Sequence, residues 1–469
     1  MKTNKINLDA MLKPKSVAII GASREPNKVG HVILQNYLNA GYSGKLYAIN
    51  KNATSNILGV RTYQSILKIK EAIDLAVIAV PAQAVPGVLE ECGKAKVKSA
   101  IVITSGFAEI GNVELQDKIV EIANKYNIAV LGPNCLGVVE PRSRIDTLFL
   151  PTYKLSHYKV GNVSFISQSG AIGSTILDII SDEGFGLSKF ISYGNAAVLD
   201  EVDLLHYLMN DQETRVVVAY LEGIKRGKEF VKVAKEIGMK KPVIVIKAGR
   251  TSAGSEAAHS HTASIAGNYE VEESIFKQSG FIVAHDISEL LDYAKIFDTS
   301  PEPKGNKVFI VTNGGGAGVL TTDAIASTKN LSMAQLSKNT QEKLREVMPD
   351  IVNIRNPLDV GGDADYKRYD DALQILAKEN SIDIYIIIVL FQTPGADSKV
   401  VESIIKFKEQ VDKPVIGITI GSEFTQAHKK MMESAGIPVY ESPKAAAMSI
   451  SALVWYYNYK KERMNLIKS

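Results

Sequence analysis

The sequence predicts an α/β protein: a Rossmann-like domain followed by two flavodoxin-like domains. Three observations carry this. Short, nearly unbroken runs of Val, Ile, Leu and Ala alternate with helical stretches from end to end. Strands covered on both faces read that way, as a parallel sheet clothed by helices requires. The pattern then restarts twice, at Gly161 and near Asn306. The two restarts match each other segment by segment, as an internal repeat does.

In the first domain the strands are "SVAIIGAS" (16–23), "KLYAIN" (45–50), "DLAVIAV" (74–80), "SAIVITSG" (99–106) and "IAVLGPN" (128–134). A less regular stretch follows, roughly 138–160. "GNVSFISQSGAIGSTILDII" (161–180) and "GNKVFIVTNGGGAGVLTTDAI" (305–325) then open the two repeats, the second just after the linker-like "SPEPKG" (300–305). Each opening has a buried strand, a small-residue turn and a helix. "SYGNAAVLDEVD" (192–203) pairs with "NIRNPLDVGGDAD" (353–365), "TRVVVAYLEGI" (214–224) with "IDIYIIIVLFQT" (382–393), and "KKPVIVIKAG" (240–249) with "DKPVIGITIG" (412–421). The expected domains are 1–140, 158–299 and 306–469.

Composition narrows the function. The 469 residues carry 54 Lys and Arg against 51 Asp and Glu, a net charge of +3, so bulk charge does not point to a nucleic-acid partner. Two cysteines, Cys92 and Cys135, make neither a disulfide scaffold nor a metal cluster, and no ligand spacing suggests a metal site. The most apolar run, "IDIYIIIVLF" (382–391), is too short to span a bilayer. No long apolar run precedes the first strand, so no signal peptide is expected and the protein reads as cytoplasmic.

Ligands of doubly wound sheets gather at the carboxyl ends of the strands. Those ends are Gly21-Ala22-Ser23, Asn50-Lys51, Val80-Pro81, Thr104-Ser105-Gly106 and Gly132-Pro133-Asn134. The first turn is not GxGxxG, and Asn50-Lys51 stands where a dinucleotide fold usually carries an acid. Lys51 suits an extra phosphate, as on the ribose of coenzyme A or NADP, or it is an ordinary solvated lysine. In the repeats, Gln168-Ser169-Gly170 and Gly315-Gly316 each open a helix and expose free N–H groups, which suggests a shared anion site. A glycine there has a purely steric reading as well.

The segment "KAGRTSAGSEAAHSHTASIAGN" (247–268) is dominated by Ser, Ala, Gly and Thr and has little to anchor it, so a mobile loop is expected. It carries His259 and His261. Either they are ordinary surface histidines, or an imidazole is presented to the helix ends as a nucleophile for phosphoryl transfer. Glu222, at the end of "VVVAYLEG", is the best candidate to orient that imidazole; its plainer reading is an exposed acid at a strand end.

These residues resemble the nucleoside-diphosphate-forming acyl-CoA synthetases, relatives of succinyl-CoA synthetase, and most of all their α subunits of the ADP-forming acetyl-CoA type. The matching segments are "VAIIGASREPNKVG", "AINKN", "VITSGFAE", "GPNCLGV", "ISQSGAIG", "SYGNAAVLDEVD", "LEGI", "KAGRTSAGSEAAHSHTASIAG", "TNGGGAG" and "NPLDV". The resemblance implies a CoA-binding domain and two succinyl-CoA synthetase-type ligase domains. It implies His261 as the phosphorylated residue, with Ala263 replacing the last glycine of the family's Ser-His-Thr-Gly, and it gives His259 no role. Glu222 would hold the histidine. Ser169, Gly170, Gly315 and Gly316 would surround phosphate, and Gly21, Ala22, Ser23, Lys51, Val80, Pro81, Thr104, Ser105 and Gly106 would line the CoA crevice, with the thioester near Asn134. It also implies a small carboxylic acid substrate and a separate ATP-grasp β subunit carrying ADP or ATP and Mg²⁺, in an α2β2 assembly. The rival functions are a non-catalytic CoA-sensing subunit and an NADP-dependent oxidoreductase.

Overall fold

A computed structural model describes residues 8–155, 158–180, 183, 185–256 and 268–468. The chain divides into two units, Met1–Asp182 with Gly186–His285, and Glu183–Phe185 with Asp286–Ser469. The first unit holds two sheets and the second holds one.

The first sheet contains β1 (Ser16–Ile20), β2 (Lys45–Ile49), β3 (Thr62–Tyr63), β4 (Leu75–Ile78), β5 (Ser99–Val102) and β6 (Ala129–Leu131). All are parallel, in the order β3-β2-β1-β4-β5-β6, which is the doubly wound order. Every residue of β1, β4, β5 and β6 is buried. Alternation sends the side chains to opposite faces. Val17 and Ile19 share a core with Ile33 and Leu34 of the helix Val29–Ala40, while Ala18 and Ile20 share another with Leu89 and Ile119.

The second sheet contains β7 (Gly137–Glu140), β8 (Ile145–Asp146), β9 (Val160–Ser167), β10 (Leu187–Ser192), β11 (Val216–Leu221), β12 (Val243–Lys247) and β13 (Ile282–Val283). Its order is β13-β12-β11-β9-β10-β7-β8. β7 and β8 form an antiparallel hairpin on β10, so part of the stretch that looked irregular in sequence extends this sheet.

The third sheet contains β14 (Lys307–Thr312), β15 (Ser332–Met333), β16 (Leu358–Asp359), β17 (Ile384–Ile388), β18 (Val415–Ile418) and β19 (Val439–Tyr440). Its spine, β19-β18-β17-β14, repeats β13-β12-β11-β9. Where β9 has the single neighbour β10, β14 has two short ones, β15 on its first residues and β16 on its last. Asn356 stitches the break: its Nδ2 donates to Val308 O (2.8 Å) and Ala334 O (3.0 Å), and its Oδ1 accepts from Ile310 N (3.0 Å). The helix Ile287–Thr299, within the span 158–299, packs in the second unit. Its Lys295 pairs with Glu433 (3.0 Å), and Tyr440 donates to Asp292 O (2.9 Å).

Inside the first unit, the segment after β10 runs along β6. Asn195 N donates to Pro133 O (3.0 Å), Ala197 N to Gly132 O (3.1 Å) and Leu199 N to Val130 O (3.1 Å). Gly194 makes this approach possible. Its φ is +53°, and a Cβ there would run into the Asn134 carbonyl. We therefore expect Gly194→Ala to lower the unfolding free energy by roughly 3 kcal/mol, combining left-handed strain with overpacking. Gly59 has φ +77° and nothing within 4 Å, so Gly59→Ala should cost only the strain, about 1 kcal/mol. Urea denaturation of both variants checks the difference.

Candidate functional site

Because the first sheet is parallel, its strand ends share one edge. All ten residues expected at the CoA crevice lie there. The strand order reverses between β1 and β4, the switch point where such sheets bind ligands. Gly21 follows β1 at that point with φ +98°, and a Cβ would collide with the Ala79 carbonyl just past β4. Gly21 N and Ala22 N donate to Ile49 O (3.0 and 3.2 Å), and Asn50 Nδ2 donates to Ala22 O (2.7 Å). Asn50, where a ribose-binding acid would stand, thus ties down the glycine turn instead. Ser23 Oγ accepts from Glu25 N (3.0 Å). The following helix, Val29–Ala40, has no side-chain cap. Lys51, Pro81 and Ser105 are exposed at this edge. Thr104 Oγ1 donates to Val80 O (2.7 Å), and Asn134 N donates to Thr104 O (2.9 Å).

Asn134 leads into a polar cluster. Its Nδ2 donates to Asn195 Oδ1 (3.1 Å), and Asn195 Nδ2 donates to Glu109 Oε2 (2.5 Å) and Gln116 Oε1 (3.0 Å). Lys225 Nζ donates to Asn195 O (2.7 Å) and Ala196 O (3.0 Å). Glu109 also accepts from the backbone N–H groups of Gly106 and Phe107. Burial opposes its charge, but the hydrogen bonds from Asn195 and the backbone win, and its carboxyl lies below the usual range. Cys135 is buried, and burial pushes its thiol up to about 12, so it is no nucleophile.

At the end of the second sheet, Gln168 Oε1 accepts from Glu222 N and from Gly223 N (3.0 Å). That amide clamps the turn that presents Glu222, one residue past β11. Ser167 Oγ donates to Ser169 O (2.7 Å), and Ser169 Oγ accepts from Ile172 N (3.3 Å) at the start of the helix Gly170–Ile180. Ser169, Gly170 and Glu222 therefore occupy one sheet edge. The repeat keeps the same frame. Asn313 Oδ1 accepts from Leu390 N (2.8 Å), and Thr312 Oγ1 donates to Gly314 O (3.1 Å). Leu390 stands where Glu222 stands, so the carboxylate exists in one repeat only. The helix Gly315–Ala326 begins at exposed Gly315 and Gly316 without a side-chain cap. Asp359 lies beside it: a Cβ on Gly315 would come within 2.8 Å of Asp359 Oδ2.

His259 and His261 lie outside the described residues. Of the segment 247–268 expected as a mobile loop, residues 252–256 are helical instead, with Thr251 Oγ1 accepting from Gly254 N (3.0 Å). Among the described residues no group of three or more His, Cys, Asp or Glu is placed to hold a metal ion. None of their helices is long and apolar enough to cross a membrane.

Three family models tile the chain in this order: a CoA binding domain over residues 15–141, a succinyl-CoA ligase like flavodoxin domain over 160–297, and a ligase-CoA domain over 308–464. The chain is 40% identical over 453 residues to the acetate–CoA ligase [ADP-forming] II subunit alpha of Pyrococcus furiosus, covering 95% of this chain and 97% of that one. The chain belongs to the ADP-forming acyl-CoA ligase family. It is the α-subunit-like part of such a ligase. A Methanocaldococcus jannaschii acetate–CoA ligase [ADP-forming] is 42% identical, and the match covers 94% of this chain but 62% of that protein. Among solved structures, the dinucleotide forming acetyl-coenzyme A synthetase 1 of Ca. Korarchaeum cryptofilum, in complex with phosphate and ADP, superposes with a TM-score of 0.92 at 37% identity, covering 98% of both chains.

Within this chain, sequence reasoning missed Glu109, Asn195 and Asp359 as members of these strand-end edges, and it named Gln168 only as part of a helix-opening turn. All four sit inside quoted motifs, yet no spacing rule marks a half-buried amide or acid whose partners are backbone groups and other polar side chains. We expect Glu109→Gln to lower stability at pH 7 by about 1–2 kcal/mol, the loss of charge-assisted hydrogen bonds. A depressed carboxyl contributes stability above its unfolded pKa and loses it as pH falls, so the gap between variant and wild type should close on acidification below the usual carboxylate range. Denaturation at a series of pH values measures it.

Proposed function

We propose that this chain handles acyl-CoA and carries the phosphohistidine of an ADP-forming acyl-CoA ligase. The near full-length match to α subunits of acetate–CoA ligases is the observation that carries this reading. The domain limits 1–140, 158–299 and 306–469 go with it as stretches of sequence, supported by the three family models, although the helix Ile287–Thr299 packs in the second unit.

Acyl-CoA binds along the first sheet's edge, from Gly21, Ala22, Ser23 and Lys51 through Val80, Pro81 and Thr104–Gly106, with its thioester toward Asn134. A phosphate oxygen attacks the thioester carbonyl and the C–S bond breaks. CoA leaves as the thiol after taking a proton, and an acyl phosphate forms. The N–H groups at Ser169 and Gly170, and those at Gly315 and Gly316, offer the partial positive charge that phosphate oxygens need. The Gly315 end faces Asp359 and is the weaker of the two for a dianion. His261 then attacks phosphorus, the acyl O–P bond breaks, and the carboxylic acid departs. Glu222 accepts the imidazole's other N–H, which fixes the tautomer and raises basicity. Finally an ADP oxygen takes the phosphoryl group from His261, giving ATP. The net reaction is acyl-CoA, ADP and phosphate to acid, CoA and ATP, and it is reversible.

ADP and Mg²⁺ belong on a partner. Two relatives named as α subunits match this chain almost end to end, which supports a separate partner subunit. We assign that partner an ATP-grasp fold, the assembly an α2β2 composition, and the complex a cytoplasmic location.

Incubation of the full chain with acetyl-CoA, ³²P-labelled phosphate, Mg²⁺ and an ATP-grasp partner should give acid-labile, base-stable label on the protein. His261→Ala should abolish it and His259→Ala should leave it. Glu222→Gln should slow labelling by about 10²-fold. Label that survives His261→Ala overturns the assignment of the histidine. Absence of label across several acyl-CoA substrates, with CoA binding intact, favours the CoA-sensing reading.

A further inference from the structure

Beneath the edge that carries Glu222 lies a buried carboxyl the reaction does not use. Glu201, at the start of the helix Glu201–Asn210, is 0% exposed, and among the described residues neither of its oxygens has a partner at full hydrogen-bond geometry. The Tyr193 hydroxyl, also 0% exposed, has none either. Arginine and lysine stand near, but both are engaged elsewhere. Arg226 is spent on the cap of that helix, with Nε donating to Asp200 Oδ2 (2.6 Å) and Nη2 to Asp203 Oδ2 (2.6 Å). Lys225 is turned away, onto the Asn195 and Ala196 carbonyls.

We propose that Glu201 is a positioning residue for the CoA edge: held as a neutral acid, it leaves the Lys225 ammonium on the 195–196 carbonyls, and so keeps Asn195 on Asn134 and Glu109. This rests on the reading that the first sheet's edge binds CoA.

The physical argument is one of competing demands for a single cation. A neutral carboxyl brings no charge into the buried site. An ionised one is a buried anion, which is costly unless a cation meets it. The groups that act on it are Asp200 on its own helix end and Lys225 after β11, and the Tyr193 hydroxyl after β10 feels its charge. Arg226 is held by both aspartates, so Lys225 is the cation left to move. Moving it breaks two bonds that hold 195–196, and Asn195 is the residue through which Asn134, Glu109 and Gln116 are joined. Burial, then the Asp200 charge, push the Glu201 carboxyl up to about 7, although the nearby backbone N–H groups of Glu201 and Lys225, short of full hydrogen-bond geometry, and the Lys225 charge favour the anion. A raised carboxyl contributes native stability below its unfolded pKa and loses it as pH rises through about 7, so the hold on Asn195 weakens on the alkaline side.

Two measurements on the full chain test this. Calorimetric CoA titration at pH 6 and pH 8 should show the wild-type Kd rising about tenfold, as the competent fraction falls from about nine-tenths to one-tenth. Glu201→Gln, an isostere of the neutral acid, should bind at pH 8 as wild type does at pH 6, within about twofold. Lys225→Met should bind weakly at both. Titration of CoA itself is common to all three proteins and cancels in the comparison. Amide hydrogen exchange of the unliganded chain is the second readout: Asn195 and Ala197 should lose protection between pH 6 and pH 8 in wild type, beyond the intrinsic pH effect, and keep it in Glu201→Gln. The same pH dependence in wild type and Glu201→Gln, by both methods, overturns the inference. Exchange as expected, with no CoA binding at either pH, upholds the Lys225 hold and overturns the CoA reading instead.

Discussion

A parallel sheet that stops at β6 leaves a row of unpaired N–H and C=O groups, and such an edge must be covered. Here the covering comes from the segment that follows β10 of the next sheet, through Asn195, Ala197 and Leu199 on Pro133, Gly132 and Val130. That pairing makes the first two sheets one unit. It carries Asn195 to Asn134 and so sets the end of β10 beside the end of β6. The polar groups that join the two edges are all short-range consequences of it. Remove the backbone approach at Gly194, and Glu109 keeps only the Gly106 and Phe107 amides while Lys225 loses the Asn195 and Ala196 carbonyls.

The internal repeat shows how one frame is given two chemistries. In both copies an amide side chain, Gln168 or Asn313, clamps the turn after β11 or β17, and a hydroxyl, Ser167 or Thr312, bonds the turn before the helix. These bonds satisfy backbone groups that both copies leave free, so both keep them. The groups that face outward differ. Glu222 has Leu390 as its counterpart, and Asp359 pairs with β14 where Ser192 pairs with β9. The copies therefore share what shapes the helix end and differ in the charge presented to it.

The second copy also tolerates a broken strand. β10 runs six residues beside β9, whereas β15 and β16 cover only the two ends of β14. Asn356 replaces the missing middle with its own amide, which has a donor and an acceptor in the right places for a strand's backbone. Where a side chain can satisfy the ladder, the backbone is released to turn early, and Asp359 arrives at the helix end as a result.

The sequence by itself determined the three α/β domains, the duplication and the strand-end residues of the first sheet. Strand burial, glycine turns and repeated segments are local patterns, set by the period of two along a strand and by which residues tolerate a tight turn. Tertiary structure alone decided the rest. No local pattern announces that 137–146 extend the second sheet, that the helix Ile287–Thr299 packs in the second unit, or that Asn195 is the joint between two strand ends. The same holds for Glu201. One acid among 51 Asp and Glu looks like any other in sequence, and it stands out only where the fold strips its water away while Lys225 and Arg226 are engaged elsewhere. Burial and pairing are properties of residues far apart in the chain, so charge and proton affinity at this site are written by the packing.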